Sequence, residues 1–291
     1  MDKVKFSLIL CTVGTTKFLN EFFVSLSNQS FKNFEVIVVD QNIDDRVDII
    51  VKEFLSLMNI KHIKSEVGLS KARNKGLQYA GGEIIAFPDD DCIYPIDLLK
   101  NVNEYMKKNQ KDFLLIKMKN SYKNGRKVQE GIKSQEVNYS NMFVLGASIS
   151  IFLKREIMIE LKAFDENLGL GAKTIFQSVE DIDLIARAIK KNIIVYFENT
   201  IEVYHPFDDE KIDKDKNLDE RSFKGGAAEM YLLNKIECGT FFKLKRIIRR
   251  VMIIFYYLLK GNFYKMRLSY KILQGNCKYF FMNINFIGEN K

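Results

Sequence analysis

The sequence has little cysteine, histidine or proline, and each shortage argues against a class of protein. Its four cysteines, at positions 11, 92, 238 and 277, form no CxxC pair, and only two histidines accompany them. A structural zinc site needs closely spaced Cys and His ligands, and a disulfide scaffold needs a denser set of cysteines. The chain has three prolines and no run rich in glycine or serine, so no flexible linker is evident.

Long hydrophobic runs are also missing. The N-terminal segment lacks the apolar stretch and small-residue cleavage site of a secretory signal. Of the 291 residues, 47% are hydrophobic and 28% are charged, which is ordinary for a globular protein. We therefore expect a reduced, cytoplasmic protein.

The net charge of +8 is distributed unevenly along the chain. Residues 240–291 hold 11 Lys and Arg residues and one acid, so this tail carries +10 and the remainder carries −2. A nucleic-acid reader would be expected to carry its positive charge on a recognisable reading motif, and no such motif occurs. The composition therefore predicts no nucleic-acid partner.

The first half alternates two kinds of segment. Buried-type strands and amphipathic helices alternate in the pattern of an α/β protein with a mostly parallel sheet. Strands are predicted at 5–12, 34–40, 60–64, 83–87 and 113–118, and helices at 17–28, 45–58, 69–80 and 95–109. Ligands of such sheets gather beyond the carboxyl ends of the strands, so the residues after each strand are the candidates for a site.

The second half is less regular. Its apolar runs predict strands at 143–153, 193–197 and 201–205 and a helix at 180–190. The charge-dense stretch 208–221 reads as a mobile loop, either a solvated connector or a lid. We expect one α/β domain over residues 1–239 and a helical, basic tail over residues 240–291.

Three adjacent carboxylates, Asp89, Asp90 and Asp91, directly follow a buried strand in the segment FPDDDC. Carboxylates this close repel one another unless a positive charge lies among them. Oxygen ligands of this kind suit Mg²⁺ or Mn²⁺, which bind carboxylates together with substrate phosphates. Taken alone, the triplet could equally be an acidic surface turn.

The neighbourhood of the triplet favours the metal site. GLSKARNKG places Arg73 on the helix that leads into the acidic strand, while Asp40 closes FEVIVVD and Thr12 closes the first strand. With SVEDIDLIAR and VYHP, these segments resemble the family 2 glycosyltransferases in order and spacing, over residues 4–206. The resemblance implies a GT-A fold and an inverting enzyme that moves a sugar from a nucleotide diphosphate to a hydroxyl.

The resemblance also assigns roles to the residues that match its motifs. It implies that Thr12 and Asp40 hold the base and ribose of the nucleotide and that Arg73 lies near the base. Asp89 and Asp90 would lie near the ribose and diphosphate, and Asp91 would bind Mn²⁺ or Mg²⁺. The family often has VVDDGS where this chain has VVDQNID, so the contact after Asp40 stays open.

The catalytic base is expected in SVEDIDL. The resemblance points to Asp181, with Glu180 as the alternative, and the base would accept the proton of the attacking hydroxyl. The competing interpretation is structural, because Ser178 and Asp181 have the spacing of a capping box that would open the following helix. Ile182, Ile185, Ala186 and Ile189 would form the buried stripe of that helix.

Further residues are implied by the resemblance alone. His205 is a candidate ligand of the metal or diphosphate, although a lone histidine is often structural. Gly146 to Ser148 and Gly169 to Gly171 are expected to line the acceptor side.

The basic tail predicts an amphipathic helix near 241–260 and a second helix near 264–281. Its unbroken apolar stretch, Val251 to Leu259, has nine residues, well short of the ~20 that span a bilayer. A cationic flank beside a Phe, Tyr and Leu-rich face can lie on an anionic membrane. The alternatives are packing on the catalytic domain or a homodimer through these helices.

The function predicted from the sequence is a metal-dependent, inverting glycosyltransferase. Its partners would be a nucleotide-sugar donor, with UDP as the expected nucleotide, and a lipid-linked saccharide acceptor in surface or capsular polysaccharide synthesis. It would lie on the inner face of the cell membrane. A sugar nucleotidyltransferase and a non-catalytic nucleotide-sugar-binding or scaffold protein are the alternatives, although CTVGTTKF lacks the Gly-rich basic loop expected of the former.

Overall fold

The computed structural model describes residues 3–14, 16–120, 129–205 and 217–282. Strands are β1 (Phe6–Thr12), β2 (Phe34–Asp40), β3 (Asn59–Lys64), β4 (Ile84–Ala86), β5 (Phe113–Asn120), β6 (Gln135–Glu136), β7 (Ile151–Lys154) and β8 (Val195–His205). Helices are α1 (Leu19–Ser27), α2 (Arg46–Phe54), α3 (Leu69–Leu77), α4 (Leu98–Lys108), α5 (Met142–Leu145), α6 (Arg155–Glu160), α7 (Glu180–Lys190), α8 (Leu218–Lys235), α9 (Thr240–Leu259) and α10 (Phe263–Lys278).

The strands form one sheet in the order β3-β2-β1-β4-β7-β5-β8-β6. Strands β1 to β4 are parallel to one another, as the alternating pattern predicts, and β5 is parallel to β8. Strand β7 lies antiparallel between β4 and β5. The carboxyl ends of β1, β2 and β4 therefore meet at one edge of the sheet.

Helices cover both faces of this sheet, which explains the unbroken apolar run of β2. Val36 and Val38 point to one hydrophobic core, and Ile37 and Val39 point to the other. Successive side chains of a strand alternate between its two faces, so both faces need apolar residues when both are covered.

The structure corrects the prediction for 143–153. Residues Met142–Leu145 form a helix and Ser148–Ser150 a turn of 3-10 helix, so only Ile151–Lys154 is a strand. An apolar run of this length does not distinguish a buried strand from a buried helix. Met142 and Leu145 lie one helical turn apart, and both are buried in the core.

Two other predictions need correction. The strands expected at 193–197 and 201–205 form one strand, β8, whose register against β5 shifts between Ile116 and Lys117. Residues 208–216 of the expected loop lie outside the described residues, but its last residues open α8. Asp219 and Glu220 lie in the first turn of α8, where acids stabilise a helix.

The C-terminal helices pack partly through backbone contact. A Cβ added at Gly226 of α8 would lie 2.1 Å from the carbonyl oxygen of Ile272 on α10. A Cβ added at Gly275 would lie 2.2 Å from the carbonyl oxygen of Phe223, and Asn276 Nδ2 donates to the Gly226 carbonyl at 2.9 Å. The two helices therefore cross at a point where neither tolerates a side chain.

Helix α9 is the most exposed of the long helices. None of its residues is fully buried, although Phe242 and Ile247 contact the core. The apolar side chains of Ile248, Met252 and Phe255 are more than half exposed. Among the described residues, no helix has the length and apolar character needed to cross a membrane.

Candidate active site

The carboxyl ends of β1 and β4 bring Thr12 to the acidic triplet. Thr12 Oγ1 donates to Asp90 Oδ2 at 2.5 Å. Burial raises the pKa of Asp90 to about 6, against the opposing effect of the Thr12 hydrogen bond, and the charges of Asp91 and Asp89 raise it further. Two of the residues predicted to bind the nucleotide are thus in direct contact.

The end of β8 brings His205 to the same triplet. Backbone hydrogen bonds in both directions between Ile93 and Tyr204, at 2.9 and 3.1 Å, fix the segment after the triplet against β8. As a result, His205 Nε2 lies 3.1 Å from Asp91 Oδ1 and 4.0 Å from Asp89 Oδ2. The family resemblance predicts both residues as ligands of the metal, whereas spacing in the sequence does not, since the two segments are more than 100 residues apart.

Asp89, Asp91 and His205 fit a divalent cation. One ligand atom from each lies within 4.8 Å of the others, a spacing that a single ion can bridge. Carboxylates suit Mg²⁺ and Mn²⁺, and imidazole is a common ligand of transition metals, so this donor set is compatible with a divalent cation. Burial raises the pKa of Asp89, and the charges of Arg73 and His205 oppose that rise.

Arg73 joins the acidic triplet to the predicted catalytic pair. Its side chain is 2% exposed, and its NH1 lies 3.0 Å from Glu180 Oε1 while its NH2 lies 3.7 Å from Asp89 Oδ1. The guanidinium also lies over the rings of Phe87 and Phe164. The structure brings Arg73 to Asp89 and Glu180; its predicted role near the base stays a prediction.

The first turn of α7 carries Glu180 and Asp181. The capping-box interpretation is wrong, because the helix is preceded by Val179 in a left-handed conformation (φ 59°) with no side-chain cap. The carboxylate of Asp181 instead accepts hydrogen bonds from the backbone N–H of Ser148 at 3.1 Å and of Ile182 at 2.8 Å. Burial, with the charge of Glu180, raises the pKa of Asp181 to about 6.

The glycines predicted on the acceptor side flank this pair. A Cβ at Gly146 would lie 2.6 Å from Ile185 and 2.7 Å from Ile182, so only glycine lets the chain approach α7 here. A Cβ at Gly169 would lie 3.2 Å from the carboxyl carbon of Glu180. Both glycine segments therefore lie against the start of α7.

Asp40 lies in a network of hydrogen bonds that the sequence analysis missed. Its Oδ1 accepts from the backbone and side-chain nitrogens of Asn42, both at 2.9 Å, and its Oδ2 accepts from Lys64 at 2.7 Å. His62 Nε2 lies 3.2 Å from Oδ2. Burial alone would raise the pKa of Asp40, but the hydrogen bonds from Lys64, Asn42 and His62 outweigh it and lower that pKa.

A signal for this network was present in the sequence. Strand β3 pairs with β2 so that His62 lies opposite Val38 and Lys64 opposite Asp40. The two residues are two positions apart and therefore share a face of the strand. Alternation in NIKHIK could have identified both as neighbours of Asp40.

A cavity of about 760 Å³ borders the predicted catalytic pair. Glu180 and Asp181 form part of its wall, together with Phe143, Leu170, residues 177–179 and side chains of α8, α9 and α10. The C-terminal helices thus contribute directly to the surroundings of the predicted base.

The sequence of this chain matches a known protein family and several of its members. The model of glycosyl transferase family 2 matches residues 7–168, more than half of the chain. The chain is 35% identical over 134 residues to the poly(ribitol-phosphate) beta-N-acetylglucosaminyltransferase TarS of Staphylococcus aureus (strain Mu50), covering 44% of this chain and 23% of TarS. It is 27% identical over 178 residues to the minor teichoic acid biosynthesis protein GgaB of Bacillus subtilis (strain 168), covering 57% of this chain and 20% of GgaB.

A solved structure shows the same fold. The chain resembles the crystal structure of S. aureus TarS 1-349 in complex with UDP-GlcNAc, with a TM-score of 0.62 at 18% identity, covering 94% of this chain and 91% of that one. The GT-A type architecture expected from the sequence is confirmed. The chain spans less than a quarter of the length of the two curated relatives described above.

Proposed function

The chain belongs to glycosyl transferase family 2, and on that premise we propose that it transfers a sugar from a nucleotide diphosphate to a hydroxyl of a saccharide acceptor. One observation carries the proposal: Arg73 contacts both Asp89 of the acidic triplet and Glu180 of the ED pair. Donor-binding groups and a candidate base therefore occupy one continuous site.

Asp181 is the proposed general base. Its carboxylate is held by two backbone N–H groups and borders the cavity in which an acceptor hydroxyl can approach. A pKa of about 6 leaves it ionised at neutral pH yet basic enough to accept a proton. A single displacement with one base inverts the anomeric centre.

Asp89, Asp91 and His205 are the proposed ligands of Mn²⁺ or Mg²⁺. A bound divalent cation supplies positive charge where the diphosphate leaves. Thr12 fixes Asp90 beside these ligands, and Arg73 provides permanent positive charge next to Asp89.

The proposed donor is a UDP-sugar. The family match supports a nucleotide-sugar donor, and the structural neighbour TarS is described in complex with UDP-GlcNAc. The proposed acceptor is a lipid-linked or polymeric saccharide of surface or capsular polysaccharide synthesis, since the curated relatives carry the names of teichoic-acid and poly(ribitol-phosphate) enzymes.

Calorimetric binding of UDP, GDP, CDP and dTDP, each with and without Mn²⁺, tests this proposal. We expect Mn²⁺-dependent binding of UDP that Asp91→Asn abolishes. The matched control is Asp112→Asn, because Asp112 forms an exposed ion pair with Lys154 at the opposite edge of the sheet. Binding of no nucleotide would contradict the proposal.

An activity assay separates the alternative functions. Sugar transfer from a UDP-sugar identifies the glycosyltransferase. Formation of a UDP-sugar from UTP and a sugar 1-phosphate would identify the nucleotidyltransferase, and donor binding with neither reaction would identify a binding protein.

We also propose that α9 docks this protein on the inner face of an anionic membrane. Ile248, Met252 and Phe255 expose one apolar face of the helix, and Lys245 and Arg249 are exposed beside it. Cationic side chains near an anionic surface contribute about 1 kcal/mol each, which complements the apolar contact.

Liposome sedimentation tests the docking. Met252→Glu combined with Phe255→Glu should release the protein from vesicles that contain anionic lipid. Ile159→Glu, on the exposed side of α6, is the control that adds one acid elsewhere. A homodimer that the double variant dissociates, with vesicle binding unchanged, would show that a second copy covers this face instead.

A further inference from the structure

The cavity beside Asp181 is lined with basic residues from the C-terminal helices. Arg221 and Lys224 of α8 and Arg246 and Arg250 of α9 all contribute to its wall. The four come from a part of the chain beyond the match to the family model, which ends at residue 168. The basic residues of this wall therefore lie outside the region that the family model matches.

Arg246 is held in place from two sides. Its Nε donates to Glu229 Oε1 at 2.5 Å, and its guanidinium lies 4.1 Å from the ring centroid of Phe143. Glu229 is itself buried and lies 3.3 Å from Asn276 Nδ2. A guanidinium anchored in this way keeps one orientation in the cavity wall.

Arg250 lies one helical turn further along α9, and in the part of the chain that the structure describes its side chain has no carboxylate partner like the Glu229 that binds Arg246. Within residues 3–14, 16–120, 129–205 and 217–282, its side chain donates no hydrogen bond and forms no ion pair within 4.0 Å. Its side chain is half-buried, and burial lowers its pKa; the charge of Glu229 opposes that effect, whereas Arg246 and Arg249 add to it. The cavity therefore contains a partly desolvated positive charge that an anion would stabilise.

We infer that this cavity binds the acceptor and that Arg250, beside the anchored Arg246, binds a phosphate group of that acceptor. The inference rests on the proposed function and names the chemical class of the acceptor. A guanidinium matches phosphate oxygens with two parallel N–H groups, which gives both affinity and orientation. The phosphate lies at the α9 wall and the accepting hydroxyl lies at Asp181.

Two sources can supply this phosphate. One is the diphosphate that joins a saccharide to a lipid, and the other is the phosphodiester of a polyol-phosphate polymer. Calorimetry with UDP and Mn²⁺ present should therefore compare three probes: a decyl diphosphate-linked N-acetylglucosamine, a glycerol phosphate hexamer and the phosphate-free octyl N-acetylglucosaminide. The probe that binds more tightly identifies the source.

The expected result is that at least one phosphate probe binds ten or more times more tightly than the neutral glycoside. Arg250→Gln should weaken that probe about tenfold, the scale of one charge-assisted contact. Arg249→Gln is the matched control, because Arg249 is the adjacent, exposed arginine of the same helix, and it should change binding less than twofold. Arg250→Lys, which keeps the charge but loses the paired N–H groups, should give an intermediate loss.

Two outcomes would overturn the inference. One is that no phosphate probe exceeds the neutral glycoside, and the other is that Arg250→Gln binds the better probe as tightly as the unchanged protein. UDP affinity is measured on the same samples and should be equal in all variants. Failure of the unchanged protein to bind UDP would refute the proposed function itself, which distinguishes the two failures.

Discussion

The proposed donor side and the proposed acceptor side of this site are built in different ways. On the donor side, Thr12 and Asp40 end β1 and β2, and the acidic triplet follows shortly after β4, so all lie at the carboxyl ends of mutually parallel strands. On the acceptor side, the cavity wall combines the start of α7 with side chains of α8, α9 and α10. Local sequence pattern specifies the first arrangement, whereas the second depends on how distant helices pack.

The end of the match to the family model falls between the two sides of the site. It ends at residue 168, before Glu180 and Asp181 and before every basic residue of the cavity wall. Except for His205, the donor-side residues thus lie within the matched region, whereas the ED pair and the basic residues of the cavity wall lie beyond it. If the two sides act separately, variants on the donor side should change UDP affinity, and variants on the acceptor side should change kcat or the acceptor KM.

Asp181→Asn should have the largest effect of these variants, and this effect should be on kcat and not on UDP affinity. Removal of a general base costs typically 10²–10⁴ in rate, so we expect kcat to fall about a thousandfold. UDP affinity should not change. Because burial disfavours the ionised carboxylate, the neutral amide should leave Tm unchanged or slightly higher. A parallel loss of UDP affinity would break the division between the two sides.

Arg73→Gln should affect both sides, since Arg73 contacts Asp89 and Glu180. Removing one partner of a buried ion pair costs about 3–5 kcal/mol, so the free energy of unfolding should fall by that amount. In the double variant Arg73→Gln with Glu180→Gln, the buried Glu180 carboxylate no longer lacks its partner, although Asp89 still loses Arg73, so part of the stability should return. Urea unfolding of the two single variants and the double variant measures this coupling. Additive losses would show that the pair does not connect the two sides.

The pH dependence of kcat/KM should report on Asp181, and so on the acceptor side alone. Asp181 has a raised pKa of about 6, and a general base works only when ionised. We therefore expect kcat/KM to fall about tenfold per pH unit below pH 6, as the carboxyl becomes protonated. Asp181→Glu should move this limb of the profile. A limb that stays in place would mean that another group controls it.

Lys64→Met should have the smallest effect, confined to the donor side. Lys64 donates to Asp40 at 2.7 Å, and loss of one such bond costs about 1 kcal/mol, a fivefold change in affinity. We expect UDP to bind about fivefold more weakly and the acceptor KM to stay constant. Lys61→Met is the control, because Lys61 lies on the same strand but over the ring of Tyr79. Equal effects of both variants would exclude a specific role of the Asp40 network.

The sequence predicted the donor side well because its signals are local. The run FEVIVVD is apolar on both faces since helices cover both, and that alone identifies a central parallel strand that ends at Asp40. The contact of Thr12 with Asp90 follows from parallel strands whose carboxyl ends meet. The network of His62 and Lys64 was missed because it also requires the pairing of β3 with β2.

The acceptor side was less predictable because its elements are determined by tertiary packing. The run from Phe143 reads as a strand, yet the core accommodates Met142 and Leu145 on a helical turn. Ser178 has capping-box spacing, but the left-handed Val179 displaces it from the helix start. No pattern within α9 distinguishes Arg250, in the cavity wall, from its exposed neighbour Arg249.

The crossing of α8 and α10 indicates which parts of the C-terminal region can change in sequence without changing the fold. Gly226 and Gly275 place backbone against backbone, so the angle between these helices does not depend on the size of any side chain at the contact. Helix α9 is held by this fixed pair, and none of its own residues is fully buried. Apart from Phe242 and Ile247, which contact the core, its surface is therefore open to mutation, and a designer who wants a new acceptor preference should change the cavity-facing residues of α9 and keep both glycines.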